Sequence, residues 1–198
     1  MTFILADRLL FEPRAQISRI FTEGFYQWLR YFSSDKAKLA RAFEHMFDLS
    51  KFHVAADGGK IAAIAALTDG KTAPIKLRAH HLRRHLGLLR GIITYLVLKN
   101  QLQEHKYPFE IADNVGSIEF VASAPEYRGK GAAFALISHI MSTALYNEFI
   151  LEVADTNTPA VRLYEKLGFS EFHRVKEPHS KQSNVNFLVY MLKKIPRR

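Results

Sequence analysis

Apolar residues recur along this chain at spacings that divide most of it into helices and strands. Ile17, Ile20, Phe21, Gly24, Phe25, Trp28, Tyr31 and Phe32 follow the three-, four- and seven-residue intervals of an amphipathic helix. Ser33-Ser34-Asp35 interrupts that pattern and can cap a second helix, whose apolar positions are Leu39, Phe43, Met46 and Phe47. Residues 52–56 and 61–67 read as strands joined at Asp57-Gly58-Gly59, a hairpin turn with glycines available for positive φ. Leu82, Leu86, Leu89, Ile93 and Leu96 predict one long helix that carries a basic cluster on its first turns, and Tyr107-Pro108 closes that segment. In residues 116–123, Ile118, Phe120 and Ala122 alternate with Glu119, Val121 and Ser123, the two-residue period of a strand that Pro125 ends. Ala133, Leu136, Ile137, Ile140, Met141 and Ala144 then return to helical spacing. Residues 149–153 form a further strand. Thr158 followed by Pro159 reads as a capping hydroxyl and a first-turn proline, and Gly168 as the matching stop. Residues 169–175 and 185–192 read as the last two strands. Helices interspersed with strands imply a mixed α/β sheet. With no internal repeat, low-complexity tract or linker, a single domain over 1–198 is expected.

Between the strand ending at Pro125 and the helix that follows stands Arg128-Gly129-Lys130-Gly131-Ala132-Ala133. Glycines here leave backbone N–H groups uncovered at the first turn of a helix, where unpaired donors and the positive end of the dipole point the same way. That combination grips anions, so a phosphate-bearing ligand is expected. The two best-known phosphate loops do not apply: there is no Gly-x-x-x-x-Gly-Lys-Ser/Thr and no Gly-x-Gly-x-x-Gly after the strand.

The stretch Pro125-Glu-Tyr-Arg-Gly-Lys-Gly131 resembles the acetyl-CoA loop of the GNAT N-acetyltransferase superfamily, Gln/Arg-x-x-Gly-x-Gly/Ala, often preceded by Pro-x-Tyr. A second block, Asn157-Thr-Pro-Ala160 followed by Leu163-Tyr164-Glu-Lys-Leu-Gly-Phe169, is similar to that family's Asn-x-x-Ala…Leu-Tyr-x-x-x-Gly-Phe segment at the expected distance. The resemblance covers residues 116–175 and, more weakly, 184–193. It implies a mixed, mostly antiparallel central sheet flanked by helices, and transfer of an acetyl group from acetyl-CoA, as acyl-donor cosubstrate, to a primary amine by direct attack in a ternary complex. Residues 73–103 are more helical than a bare domain of that family requires, a helical elaboration before the cofactor strand that could serve as a lid or a self-association surface, with a homodimer as one outcome.

Composition narrows the picture further. The chain has no cysteine, which excludes disulfides, thiolate metal sites and a cysteine nucleophile. No carboxylate–histidine spacing suggests a metal site. The N-terminus lacks a basic segment before its short apolar run, and the apolar run at 92–98 falls far short of the ~20 residues of a membrane helix. A cytoplasmic protein with no membrane partner is therefore expected. The formal net charge is +9. It can reflect a solvated basic surface, attraction of an anionic cofactor, or phosphate tracking by the cluster at 76–85. No nucleic-acid-binding motif accompanies that cluster.

Acetyl transfer to an amine needs a held thioester, a base for the ammonium proton and help for the leaving thiolate. Backbone N–H groups across Arg128, Gly129, Lys130, Gly131, Ala132 and Ala133 would cradle the pyrophosphate. The resemblance adds that the strand edge at Ala122 and Ser123 pairs with the pantetheine amides, and that Asn157 hydrogen-bonds the cofactor or orders the loop before its helix; an Asx turn is the alternative. Ser123 departs from the family's usual Val or Ile and thins the apolar wall there. Glu119 is the candidate base, expected on the same face as Val121 and Ser123; a structural ion pair is the alternative, and His80, His81, His85 and His139 are further titratable candidates. Tyr164 matches the family tyrosine that donates to the CoA sulfur, and core packing with Val161 and Leu167 is its alternative. A second functional reading is an acyl-CoA-binding regulatory domain without turnover. The acceptor amine is not legible.

Overall fold

The computed structural model describes residues 1–178 and 180–196. Seven strands form one sheet in the order β1-β2-β3-β4-β5-β7-β6. They are β1 (Thr2–Leu5), β2 (Phe52–Asp57), β3 (Lys60–Thr68), β4 (Val115–Ser123), β5 (Glu148–Ala154), β6 (Ser170–Lys176) and β7 (Phe187–Lys194). Every pairing is antiparallel except β4 with β5. This is the mixed, mostly antiparallel sheet that the sequence predicts. The short edge strand β1 carries too few residues to show a period, and the sequence reading left it out.

Five helices, α1 (Arg14–Gly24), α2 (Tyr26–Leu29), α3 (Lys36–Phe43), α4 (Ala79–Leu86) and α5 (Leu88–Leu98), precede β4. They belong to the layer that covers one face of the sheet. Helices α6 (Ala132–Thr143) and α7 (Thr158–Lys166) cover the other. Strand β3 is buried on both faces, so its sequence is a continuous apolar run rather than an alternation. Four of its residues are alanines, Ala62, Ala63, Ala65 and Ala66, none of them exposed, and small side chains let both helical layers approach. The first core centres on Phe21, whose ring meets those of Phe25, Phe43, Phe47 and Phe120 at centroid distances of 4.9–6.0 Å. Burying one such side chain contributes roughly 1.5–3 kcal/mol.

Two helices differ from the sequence expectation. The first apolar stripe is cut after Gly24, where an added Cβ would lie 2.8 Å from the Cβ of Ala122 on β4. The chain bends there so that Phe21 and Phe25 both turn into the aromatic cluster. The single helix expected over 82–96 is two, broken at Gly87 with φ 88° and ψ 168°, a conformation open essentially to glycine alone. Helix α5 folds back so closely that a Cβ at Gly91 would meet the Cα of Arg83 at 2.5 Å. Leu82 and Leu86 are buried as predicted, but Leu89, Ile93 and Leu96 point to solvent, because the break ends the common stripe. The base of this elaboration is tied down: the Leu77 N–H donates to Gln103 Oε1 (2.7 Å), and the Arg78 N–H donates to His45 Nε2 (3.0 Å). Helix α3 is capped by Asp35, which accepts from the Lys38 N–H. Helix α7 is capped by Asn157 rather than by Thr158.

His45 is locked as a neutral ring. Its Nε2 must keep a lone pair for the Arg78 N–H, so Nδ1 carries the hydrogen and donates to the Ala42 carbonyl (3.0 Å). Burial, then the positive potential of His81, lowers its pKa to about 4. Between the ordinary value of 6.5 and about 4, the unfolded chain therefore binds a proton that the folded chain does not. The stability that His45 contributes is full above 6.5 and declines as pH falls toward 4. Thermal melts should show the wild-type midpoint falling more steeply with acidification than that of His45→Gln. Parallel falls in the two proteins would show that other groups control the acid limb.

Candidate active site

The geometry of the site begins with one irregular residue. Phe120 has φ 52°, well inside the left-handed region, within a strand. Ala66 stands opposite Glu119, and Ile64 opposite Ala122, so β4 spends one more residue than β3 over this interval. That is a β-bulge, which bends the strand and re-aims its side chains. The ring of Phe120 is held among Phe21, Phe25 and Phe52. Such a backbone conformation costs of order 1–3 kcal/mol and persists only when its surroundings over-determine it.

Two consequences follow. First, the expected shared face of Glu119 with Val121 and Ser123 is wrong. Register through β3 puts Ser117, Glu119 and Ala122 on the face of Thr68, Ala66 and Ile64, under helices α1 to α5. Ser123, opposite Ala63, and Val121 belong to the α6–α7 face. Second, β4 and β5 pair only at Val115, Gly116 and Ser117 against Glu148, Phe149 and Ile150. Beyond Ser117 the two strands part, and the β5-side edge of β4 runs without a strand partner past Ala122 and Ser123.

On the α1–α5 side of this split lies a polar cluster. The Gly70 N–H donates to Thr68 Oγ1 (2.9 Å), and that hydroxyl donates to Glu119 Oε1 (2.6 Å). Burial raises the Glu119 pKa, and hydrogen bonds from Thr68 and Ser117 pull it part of the way back. The result is a carboxylate nearer neutrality than an exposed one, the property that suits a general base. Ser117 Oγ lies 2.5 Å from the Tyr107 hydroxyl. Beside them, His105 Nε2 stands 3.2 Å from Glu152 Oε2. That contact is off the angle of a hydrogen bond and leaves the oxygen without an aligned donor. The Glu152 carboxylate nevertheless raises the His105 pKa against the effect of burial. Burial foremost, then Glu152, raises the pKa of Tyr190, while burial and then Glu119 raise that of Tyr107; both stay phenols at neutral pH. Sequence reasoning missed Thr68, His105, Tyr107, Ser117, Glu152 and Tyr190. Only Glu152 offered a signal, as a lone acid between the apolar residues of β5.

Across the sheet, Tyr164 on α7 is buried against Phe169, with ring centroids 6.1 Å apart. Burial raises its pKa, so it is a protonated phenol. Its hydroxyl has no hydrogen-bond partner among the described residues. Glu119 thus lies on the α1–α5 face of the sheet, and Tyr164 in the core on the α6–α7 face.

The glycine loop lies at the end of β4. Gly129 and Gly131 have φ 72° and 79°, and a Cβ on either would meet nothing within 4 Å. Gly131 is the N-cap of α6 without side-chain capping, and the first intrahelical bond at that end runs from the Ala135 N–H to the Gly131 carbonyl. The N–H groups of Gly129, Gly131, Ala132 and Ala133 have no partner among the described residues, so they form an open turn of unpaired donors, an arrangement that suits an anion. The side chains hold the loop rather than fill it. Arg128 donates to the Glu23 carbonyl at the end of α1 (3.2 Å), Glu126 pairs with Arg19 (3.1 Å), and the Tyr127 hydroxyl donates to Asp57 (3.0 Å). Lys130 sits over the Tyr127 ring at 5.8 Å. Arg128 and Lys130 spend their own N–H groups on the Pro125 and Tyr127 carbonyls (both 3.3 Å), so, against the sequence expectation, they hold the turn and add positive charge rather than backbone donors. Asn157 spends its side-chain oxygen on the Ala160 N–H (3.4 Å) as the cap of α7, which orders the start of that helix and leaves its amide nitrogen uncommitted among the described residues.

The other titratable candidates lie elsewhere. The His80 and His81 rings lie tilted to one another at 4.2 Å, His81 stacks on His45 (4.4 Å) beside α3, and His139 stacks on Phe3 (5.2 Å). Among the described residues no group of three or more His, Asp or Glu could hold a metal ion.

Comparison with known proteins places this architecture. The family model described as the acetyltransferase (GNAT) family matches residues 14–169. Over 62 residues the chain is 40% identical to a mycothiol acetyltransferase from Thermobispora bispora, a stretch covering 29% of this chain and 21% of that protein. The chain thus matches about a fifth of that relative's length. The fold is similar to that of an N-acetyltransferase from Staphylococcus aureus Mu50, with TM-score 0.66 and 17% identity over 98% of this chain and 100% of the other. It is also similar to yncA from Salmonella typhimurium, a putative acetyltransferase solved with its cofactor acetyl-CoA, with TM-score 0.58 and 16% identity over 100% and 95%.

The loop geometry makes a direct prediction. Gly131→Glu adds a side chain at a φ of 79° and puts a negative charge into the open turn. Calorimetry with acetyl-CoA should show binding to the wild type and none to the variant, with circular dichroism unchanged. Equal affinity in the two would remove the loop from the cofactor site.

Proposed function

The chain belongs to the GNAT acetyltransferase family, and we propose that it moves the acetyl group of acetyl-CoA to a primary amine by direct attack at the β4–β5 split. The observation that supports this reading is a hydrogen-bonded, partly buried carboxylate at Glu119 on one face of the sheet and, in the core of the other face, a buried Tyr164 phenol with no hydrogen-bond partner among the described residues. The N–H groups of Gly129, Gly131, Ala132 and Ala133, without partners among the described residues, suit the pyrophosphate, and the edge of β4 at Ala122 and Ser123 that lacks a β5 partner suits the pantetheine amides. Acetyl-CoA supplies an activated carbonyl and a thiolate leaving group. The remaining chemistry falls to the protein.

Glu119 accepts the proton that the amine must lose as its nitrogen bonds the carbonyl carbon. Thr68, its hydroxyl oriented by the Gly70 N–H, fixes one oxygen of that carboxylate and leaves the other for the acceptor. As the carbon–sulfur bond breaks, the Tyr164 phenol donates to the sulfur. Burial keeps that proton on the oxygen until negative charge develops beside it. An interaction made mainly with developing charge lowers the barrier more than it tightens binding. Tyr107, Ser117, His105 and Glu152 border the acceptor side and shape what enters there.

Three variants test this with a panel of primary amines, read by release of the CoA thiol. Glu119→Gln should lower kcat by about 10²–10⁴-fold near neutral pH, with partial recovery at high pH where the amine is already deprotonated. Tyr164→Phe should keep acetyl-CoA affinity and the melting temperature while lowering kcat; a normal kcat removes Tyr164 from the reaction. Thr68→Val removes a hydrogen bond that lowers the Glu119 pKa, so the acid limb of the kcat/KM profile should move to higher pH. A profile unmoved by Thr68→Val, with Glu119→Gln as active as the wild type, would return Glu119 to a structural role.

A further inference from the structure

Helix α5 is apolar on two sides. Gly91, Thr94 and Leu98 face inward and are buried. On the opposite side, Leu88, Leu89, Ile92, Ile93 and Leu96 are 57, 75, 39, 56 and 61% exposed. At 100° per residue these five occupy an arc of about 140° with no polar residue inside it. A helix apolar all round normally sits in a core, and an exposed contiguous apolar patch marks an interaction surface. Nothing in the fold covers this one.

The charge around the arc identifies what suits it. Residues 70–103 contain seven Lys or Arg and no Asp or Glu, so the rest of the chain carries 21 cations against 19 acids. Seven of the nine net positive charges therefore fall in this stretch, the helical elaboration and the turn before it. Arg90 borders the arc, and Arg83 and Arg84 stand just across the Gly87 corner, all exposed. Lys71 and Lys99 are paired, with Asp113 and Glu104. Arg78, Arg83, Arg84 and Arg90 make no ion pair among the described residues. A second copy of the chain fits poorly, since two-fold pairing sets each patch against its own kind and would face two acid-free basic surfaces. A convex aliphatic ridge bordered by arginines has the character of helices that lie in the surface plane of an anionic bilayer.

We propose that the α4–α5 elaboration docks the protein on anionic membrane surfaces, with Leu88, Leu89, Ile92, Ile93 and Leu96 entering the acyl boundary and Arg83, Arg84 and Arg90 meeting the headgroups. This is peripheral attachment: no described helix is long and apolar enough to cross a membrane. It departs from the sequence-based expectation of no membrane partner, which rested on the lack of a signal-like N-terminus and of an apolar run long enough to span a bilayer.

The test is vesicle flotation with the full chain, using vesicles of phosphatidylcholine alone and vesicles containing about one third phosphatidylglycerol. Two paired variants accompany it, Leu89→Glu with Ile93→Glu, and Arg83→Glu with Arg84→Glu, each at exposed positions and checked by thermal melt. The wild type should float with the anionic vesicles only, and both variants should float at least about tenfold less. Raised salt should weaken wild-type binding. Absence of flotation overturns the proposal and leaves an acidic protein as the candidate occupant. Undiminished flotation of the leucine–isoleucine variant also overturns it, because the apolar arc would then be idle. A wild-type dimer in light scattering that the same variant dissociates, without vesicle binding, overturns it in favour of a second copy.

Discussion

One residue held in the left-handed region of a central strand sets the terms for the rest of the site. Phe120 can occupy that conformation because its ring is locked into the cluster of Phe21, Phe25 and Phe52. The extra residue it inserts turns Glu119 and Val121 to opposite faces of the sheet, and β4 leaves β5 after Ser117. Each later feature inherits that geometry: the open strand edge, the carboxylate on one side, the phenol on the other, and the glycine turn at the end of β4. The aromatic core under α1 therefore does more than stabilise the fold. Its packing is what keeps an opening in a sheet that hydrogen bonding would otherwise close.

Local chemistry was legible in the sequence, and geometry between distant segments was not. The hairpin at Gly58-Gly59, the Asp35 cap and the glycine turn before α6 were readable because each is specified within a few residues. Fold class followed from the alternation of such elements and from the resemblance of 116–175 to a known family. Gly87 hid its effect, since the leucine spacing continues across it and only the exposure of Leu89, Ile93 and Leu96 reveals that the helix has stopped. The face on which Glu119 lies was misread because a bulge at a phenylalanine leaves no local mark; the usual warning, a glycine, is absent. Thr68, His105, Tyr107 and Glu152 join the site from other strands and from the connection before β4, and no spacing rule links them. Strand β3 was legible at 61–67 from its apolar run after the hairpin turn, although burial on both faces left it no alternation.

The two helical layers divide the molecule's chemistry as well as its core. The layer of α6 and α7 presents backbone donors and a phenol, built from short segments whose sequences are constrained at particular positions. The layer of α1 to α5 presents the polar cluster around Glu119 beneath a long helical elaboration. That cluster mixes two carboxylates, an imidazole and two phenols whose protonation states depend on one another, with Glu119 and Glu152 both acting on Tyr107. Substitutions on this side would alter which acceptor is admitted while leaving the glycine turn untouched.

The concentration of positive charge in residues 70–103 gives the molecule a direction. A net charge of +9 spread evenly would make a basic sphere, attracting anions alike from every side. Concentrated in one segment that includes α4 and α5, it makes a dipole. Such a particle rotates in the field of a polyanion before it touches it, so encounters are oriented and the α5 ridge leads. Binding to a charged surface would then be led by this segment, while the rest of the chain, with 21 cations against 19 acids, follows nearly neutral.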